Sequence, residues 1–271
     1  MKHINSFRPL FSPIQPSIKV AGGQVSYTEF TPDEPLQHLV YCYWQLRSNS
    51  SLSESFQYRV VADGCIDIFF ELQRPEEDFV TGFNRQYTSF NLGPSFNYVG
   101  IRFLPAGFTR LFGINAAELS NRSESLELVV PEISAFIGSR FSDESSVEEI
   151  NLQLNSYFTG LLAKNETLAD HRVFHAIEII LRKSGTLNIE KDLDVGLSSR
   201  QLNRLFEFYT GDNPKTFSKI VRFQHLLRAK TLEQHPSKNK LFLDAGYFDQ
   251  AHFIKEFKTL YGLTPFKAFG H

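Results

Sequence analysis

The chain has one methionine, one tryptophan and two cysteines in 271 residues, and these scarcities exclude several classes of protein. Cys42 and Cys65 are too few and too scattered for a disulfide framework or a zinc site, so two buried free thiols are expected. No run approaches the roughly 18 apolar residues of a membrane span. The first residues, MKHINSFRPLFSPIQPS, carry polar side chains and prolines where a secretion signal needs an apolar stretch, and a cytoplasmic location is expected. Before position 165 the only histidines are His3 and His38, short of the His-and-carboxylate set around a catalytic metal. There is no Gly-x-Ser-x-Gly elbow and no phosphate loop. Asp63 and Asp67 are two nearby carboxylates, but strand alternation alone accounts for a charge there. Neither an enzyme nor a cofactor is expected.

Phenylalanine, by contrast, occurs 27 times, which predicts aromatic-rich cores. The net charge of −2 hides an asymmetry: residues 171–271 hold 16 Lys+Arg and 10 Asp+Glu, and the remainder 12 and 20. A moderately basic C-terminal part on an acidic partner fits a nucleic-acid binder whose basic half makes the contact.

That basic part contains one pattern twice. GLSSRQLNRLFEFYTGDNPKTF (196–217) and GYFDQAHFIKEFKTLYGLTPFKAF (246–269) both carry Phe-x4-Gly-x2-Pro. Phe206, Gly211 and Pro214 recur as Phe257, Gly262 and Pro265, all displaced by 51 residues. Two copies are too few for a solenoid. Helical patterns on both sides of a glycine instead predict two helix-turn-helix units. A helix from Asp170, a short one at 189–195, a turn at Gly196 and a helix at 199–209 make the first. A long helix from Pro214 to about Gln234 leads to the second, with a short helix at 240–245, a turn at Gly246 and a helix at 249–261.

Upstream the pattern is α+β. After a proline-broken segment to about residue 35, with a short strand at 24–30, strands are expected at 38–46, 57–61, 65–72, 79–83, 87–91 and 98–104. Asp63-Gly64 is expected to make a hairpin-type turn between the second and third of these. Short helices follow Pro105 and at 116–119, and longer ones from Val129 and over 147–164. The expected architecture is a β-rich α+β domain, residues 1–164, followed by an all-α domain, residues 165–271, of two helix-turn-helix units joined by a long helix.

A helix-turn-helix places its second helix in the major groove, where each base pair shows a distinct donor and acceptor pattern. Two units on a rigid helix would read segments about one DNA turn, roughly 34 Å, apart. The second copy, DAGYFDQAHFIKEFKTLYGLTPFKAF, closely resembles the signature of AraC/XylS-type transcriptional regulators. LSSRQLNRLFEFYTG resembles the first helix-turn-helix of that family. Upstream, RVVADGCIDIFF, VGIRFLPAGFTRLFG and AAEL resemble an N-terminal domain of unassigned function found in a subset of these regulators.

The resemblance implies double-stranded DNA as partner, with base-reading positions at Arg200, Asn203 and Arg204 in the first unit. In the second they fall at Gln250, Ala251 and Lys255, with His252 adjacent. Arg suits guanine and Asn adenine, whereas Ala251 offers only an apolar contact. Ser199, Lys219 and Lys258 are phosphate-contact candidates. The competing reading for each is ordinary solvated surface, whereas Leu202, Leu205, Phe206, Phe253 and Phe257 are expected as core from their spacing. Where family members carry a Leu-Ala or Ile-Ala pair in the short helices, this chain has Lys191-Asp192 and Leu241-Phe242, and KDLDVG is acidic. An alternative is therefore a ligand-binding or protein-interaction module whose helix-turn-helix domain has weak or no DNA affinity. The N-terminal domain is implied to hold a small-molecule effector or to form a homodimer. Tyr41, Tyr43, Trp44, Phe69 and Phe103 are expected either to line its pocket or to form its core.

Overall fold

A computed structural model of the chain describes residues 7–16, 23–164, 170–232, 247 and 249–269. Its strands are β1 (Val25–Phe30), β2 (Val40–Ser48), β3 (Phe56–Val60), β4 (Asp67–Glu71), β5 (Arg74–Thr81), β6 (Thr88–Leu92), β7 (Asn97–Phe103) and β8 (Ser123–Ser125). Six of them form an antiparallel sheet in the order β1-β2-β7-β4-β5-β8, and β3 pairs with β6 as a separate two-stranded ribbon.

Strand alternation builds two layers from the large sheet. Tyr43, Ile68, Phe70, Val80, Val99, Ile101 and Phe103 point to one face. There they pack against α1 (Gly107–Phe112), α3 (Pro131–Arg140) and α4 (Val147–Lys164), with α2 (Leu126–Val129) beside β8. Trp44 and Leu46 point to the other face, towards Tyr58, Leu92 and Phe96 of the ribbon side. Trp44 sits opposite Gly100 in the register. A Cβ at Gly100 would lie 2.1 Å from the indole, so the ring can rest over the sheet only because that position is glycine.

The expected hairpin at Asp63-Gly64 does not form. β3 and β4 are not neighbours, and the turn carries the chain from the ribbon to the large sheet. Asp63 is committed elsewhere: its Oδ1 accepts from the Cys65 amide at 2.9 Å and its Oδ2 from Gln15 Nε2 at 2.8 Å. An Asp-Gly pair specifies a turn, but not which strands it joins.

The C-terminal part is helical: α5 (His171–Arg182), α6 (Ile189–Asp192), α7 (Ser199–Thr210), α8 (Pro214–Leu232), α9 (Gln250–Tyr261) and α10 (Pro265–Ala268). Asp170 caps α5 through the Arg172 amide. Ser198 and Gln201 make a capping box at α7, which satisfies two otherwise orphaned groups. Asp249 accepts from the Ala251 and His252 amides and starts α9. The short helix expected over 189–195 stops at Asp192, ahead of Gly196 in the left-handed region. The helix expected over 240–245, its Leu241-Phe242 pair and the Gly246 turn lie outside the described residues, as does the end of the long helix beyond Leu232.

One buried cluster draws on both halves of the chain. Phe7, Phe11, Val61, Ala62, Cys65, Phe83, Leu104 and Ala106 pack with side chains of α5, α7, α8 and α9. Hydrogen bonds accompany the packing: Gln15 bonds the Val61 backbone at both ends, while Gln224 links Ile14 to Ala62. The buried Asp212 carboxylate accepts a charge-assisted bond from Arg85.

Candidate nucleic-acid interface

The two candidate reading helices are amphipathic for the same reason. In α7, Leu202, Phe206 and Tyr209 are buried, while Ser199, Arg200, Asn203, Arg204 and Glu207 are exposed. Arg200, Asn203, Arg204 and Glu207 fall at i, i+3, i+4 and i+7, a single solvent-facing stripe. In α9, Phe253, Phe257, Leu260 and Tyr261 are buried, and Gln250, Ala251, His252, Ile254, Lys255 and Lys258 are exposed. Apart from Lys219, every residue singled out from the sequence as a DNA contact is therefore on an exposed surface of one of these two helices. Leu205 is half-buried, and the other residues expected as core are buried.

Lys219, on α8, is placed differently. Its ammonium lies 3.7 Å from Glu256, a carboxylate whose side chain is 10% exposed. Arg222 bonds the same carboxylate at 2.9 Å, and the Tyr247 hydroxyl donates to it. His252 Nε2 stands 3.8 Å away, and the Arg222 guanidinium stacks 4.0 Å over the Tyr247 ring. Burial, with the bond to Glu256 adding, holds the Tyr247 hydroxyl protonated. This cluster fixes the roll of α9 on α8 and so decides which side of α9 faces outward. Sequence reading missed it, since an Arg on one helix and a Glu 34 residues later carry no joint signal.

The C-terminal ends of both candidate reading helices rest on the N-terminal region. Gly211 and Gly262, the repeated glycines, end α7 and α9 with φ of 95° and 91°. That backbone suits glycine, and the absent side chain also makes room for an aromatic. A Cβ on Gly211 would lie 2.7 Å from Phe83, and one on Gly262 would lie 2.9 Å from Tyr87. The last carbonyls of a helix have no partner within it. Here Phe208 O accepts from the Thr109 hydroxyl at 3.3 Å, Thr259 O from the Tyr87 amide and Leu260 O from the Ala62 amide, both at 3.1 Å.

Between the ribbon and the large sheet lies a cavity of about 310 Å³. Trp44, Tyr58, Phe69, Phe79, Phe90 and Leu92 make its apolar walls. Of the aromatics named from the sequence, Trp44 and Phe69 line this space. Tyr43 and Phe103 belong to the core against the helices, and Tyr41 packs at the cluster shared by the two halves. At one end Arg102 bonds Asp67 through Nε and Nη2, the shortest contact being 2.8 Å, and Trp44 Nε1 donates to Asp67 at 3.1 Å. Among the described residues no group of three or more His, Cys, Asp or Glu is arranged to hold a metal ion, and no helix is long and apolar enough to cross a membrane.

Residues 194–269 match the family model of a helix-turn-helix domain. This match agrees with the AraC/XylS-type resemblance of the repeated unit. Ahead of this region, residues 28–125 match a model described as a domain of unknown function, DUF6597. No curated protein matches the chain. Among solved structures, ToxT from Vibrio cholerae O395 shares 12% identity over 91% of this chain and 97% of its own, with a TM-score of 0.44. The structure of unsaturated fatty acid bound ToxT from Vibrio cholerae strain SCE256 shares 10% identity over 90% and 94%, with a TM-score of 0.39. In the present chain, the helix-turn-helix match begins just before the α7 capping box and ends with α10.

Proposed function

We propose that this chain regulates transcription by reading two adjacent major-groove segments of double-stranded DNA, with α7 and α9 as the reading helices. The observation that carries the reading is the pair of exposed polar stripes, each at the same place in a repeated unit and each backed by a buried aromatic face. Arg200, Asn203 and Arg204 offer donors suited to guanine and adenine edges, and Gln250 and Lys255 do the same from α9. Ala251 adds only an apolar contact, so the second unit reads fewer bases. His252 flanks that stripe, and Ser199 and Lys258 meet phosphates. Lys219 contributes mainly through Glu256, as a brace. In this reading the N-terminal domain senses a small molecule or joins two copies.

The test is selection of the full chain on a random duplex pool, then binding to the enriched site at several salt concentrations. A bipartite site is expected, with affinity falling steeply as salt rises, because each neutralised phosphate releases counterions. Arg204→Ala should weaken binding by about 1–3 kcal/mol and relax preference at one position. No enrichment and a flat salt response would favour a ligand-binding or interaction module instead.

A further inference from the structure

Residues 82–87, which connect β5 to β6, touch three things at once. Asn84 lines the cavity, and so do Thr81 and Thr88 at the two strand ends. Phe83 lies against Gly211 at the end of α7, and Arg85 bonds the buried Asp212 in the turn between α7 and α8. Tyr87 lies against Gly262 and donates its amide to Thr259, at the end of α9. Within five residues the chain passes from the first reading helix to the second, with its middle on the cavity wall. On the other ribbon strand, Tyr58 and Val60 line the same cavity, and Ala62, two residues on, caps α9.

The chemistry of the walls restricts the occupant. Its apolar surface is mostly aromatic, which favours flat rings. Arg102 is the one basic side chain among the described lining residues; Asp67 already takes its Nε and Nη2 donors, and Nη1 donates to the Tyr27 hydroxyl at 3.4 Å. A carboxylate or phosphate would therefore be desolvated without a free cation to receive it. A cation fares no better, since Asp67 is already paired. Uncharged donors and acceptors are what remains, on Thr81, Asn84, Thr88, Asn91 and Ser123.

We propose that the cavity binds an uncharged, ring-bearing apolar molecule, and that residues 82–87 transmit its presence to the C-terminal ends of both reading helices. This rests on the reading of the chain as a DNA-binding regulator only for its biological meaning; binding and transmission are testable without DNA. Because Phe83 and Tyr87 belong to one short segment, a shift at Asn84 displaces both helix ends together and changes the spacing of the two reading surfaces.

The experiment uses the full chain and the neutral fluorophore N-phenyl-1-naphthylamine, excited by energy transfer from Trp44, the only tryptophan. Saturable emission is expected, with displacement by 2-naphthol at least tenfold more effective than by its anionic analogue 2-naphthoate. Thr88→Phe, which fills the cavity from a half-buried strand position, should abolish the signal. Equal or better displacement by 2-naphthoate, or no saturable signal from the wild-type chain, would overturn the ligand class. An undiminished signal in Thr88→Phe would place the probe elsewhere and overturn the site. Hydrogen exchange with and without the probe tests transmission: slowing is expected at 82–88, 207–212 and 257–263 together. Protection confined to the cavity strands overturns it. Failure of these arms leaves the DNA selection untouched, and the converse also holds.

Discussion

Asp67 shows how burial and pairing compete at a single residue. Burial moves its carboxyl from the usual 3.8 up to about 6, Arg102 opposes the shift through charge and hydrogen bonds, and Asp63 adds to it. Arg102 itself is held firmly protonated by Asp67 and its other anionic neighbours, against its own desolvation. The bonding geometry favours an ionised pair at neutral pH, and a value near 6 agrees with that. Since the folded value lies above the unfolded one, the native chain takes up this proton between about 6 and 4. The associated stabilisation is absent at pH 7 and grows as the pH falls through that window. Relative to Asp67→Asn, the wild-type chain should gain about 1 kcal/mol between pH 7 and pH 5, read from urea midpoints. A stability difference that stays constant over that range would mean Asp67 does not titrate there. The sequence showed Asp63 and Asp67 as alternating strand charges, and burial of that kind is invisible without knowing that Arg102 of β7 pairs opposite Asp67.

At the scale of elements, α7 and α9 are defined by features that sequence can carry and by others that it cannot. Ser198, Asp249, Pro214 and the repeated glycines mark helix ends through local backbone chemistry, and these ends were legible within a residue or two. Strands β1 to β7 were visible as runs, but β8 was not, and neither were the strand partners: β3 and β6 leave the main sheet, and nothing between Asp63 and Gly64 says so. The candidate contacts on α7 and α9 came from the family resemblance, and helical period accounts for their exposure alone. The Glu256 cluster and the seats of Gly211 and Gly262 were not legible, because each joins distant segments. Gly262 allows a direct test of the seat on α9. An alanine there would need a left-handed backbone and would crowd Tyr87 and the Arg59 guanidinium, at 2.9 and 3.0 Å. Gly262→Ala should lower stability by about 2 kcal/mol and speed exchange of the Ala62 and Tyr87 amides. A stable variant with unchanged exchange at those amides would show that the helix end does not depend on this contact.

At the scale of the whole molecule, the shared cluster means that neither half buries its apolar surface alone. Phe217 and Phe206 are fully buried, and Phe83 from the other half covers Phe217 at a ring distance of 6.4 Å. Each such aromatic contributes about 1.5–3 kcal/mol by burial, so separating the halves would expose several times that amount. The two sets of helices and strands should therefore unfold as one unit. The chain supplies independent reporters for this. Trp44, the sole tryptophan, lies in the cavity wall of the N-terminal part, while helical circular dichroism draws mainly on α4 and on α5 to α9. In urea, the fluorescence and dichroism transitions should coincide in midpoint and slope, as a single cooperative transition requires. Two separated midpoints would show that the halves fold independently. In that case a shift at residues 82–87 would meet a loose joint rather than a packed one, and displacement of Phe83 and Tyr87 would dissipate before reaching α7 and α9.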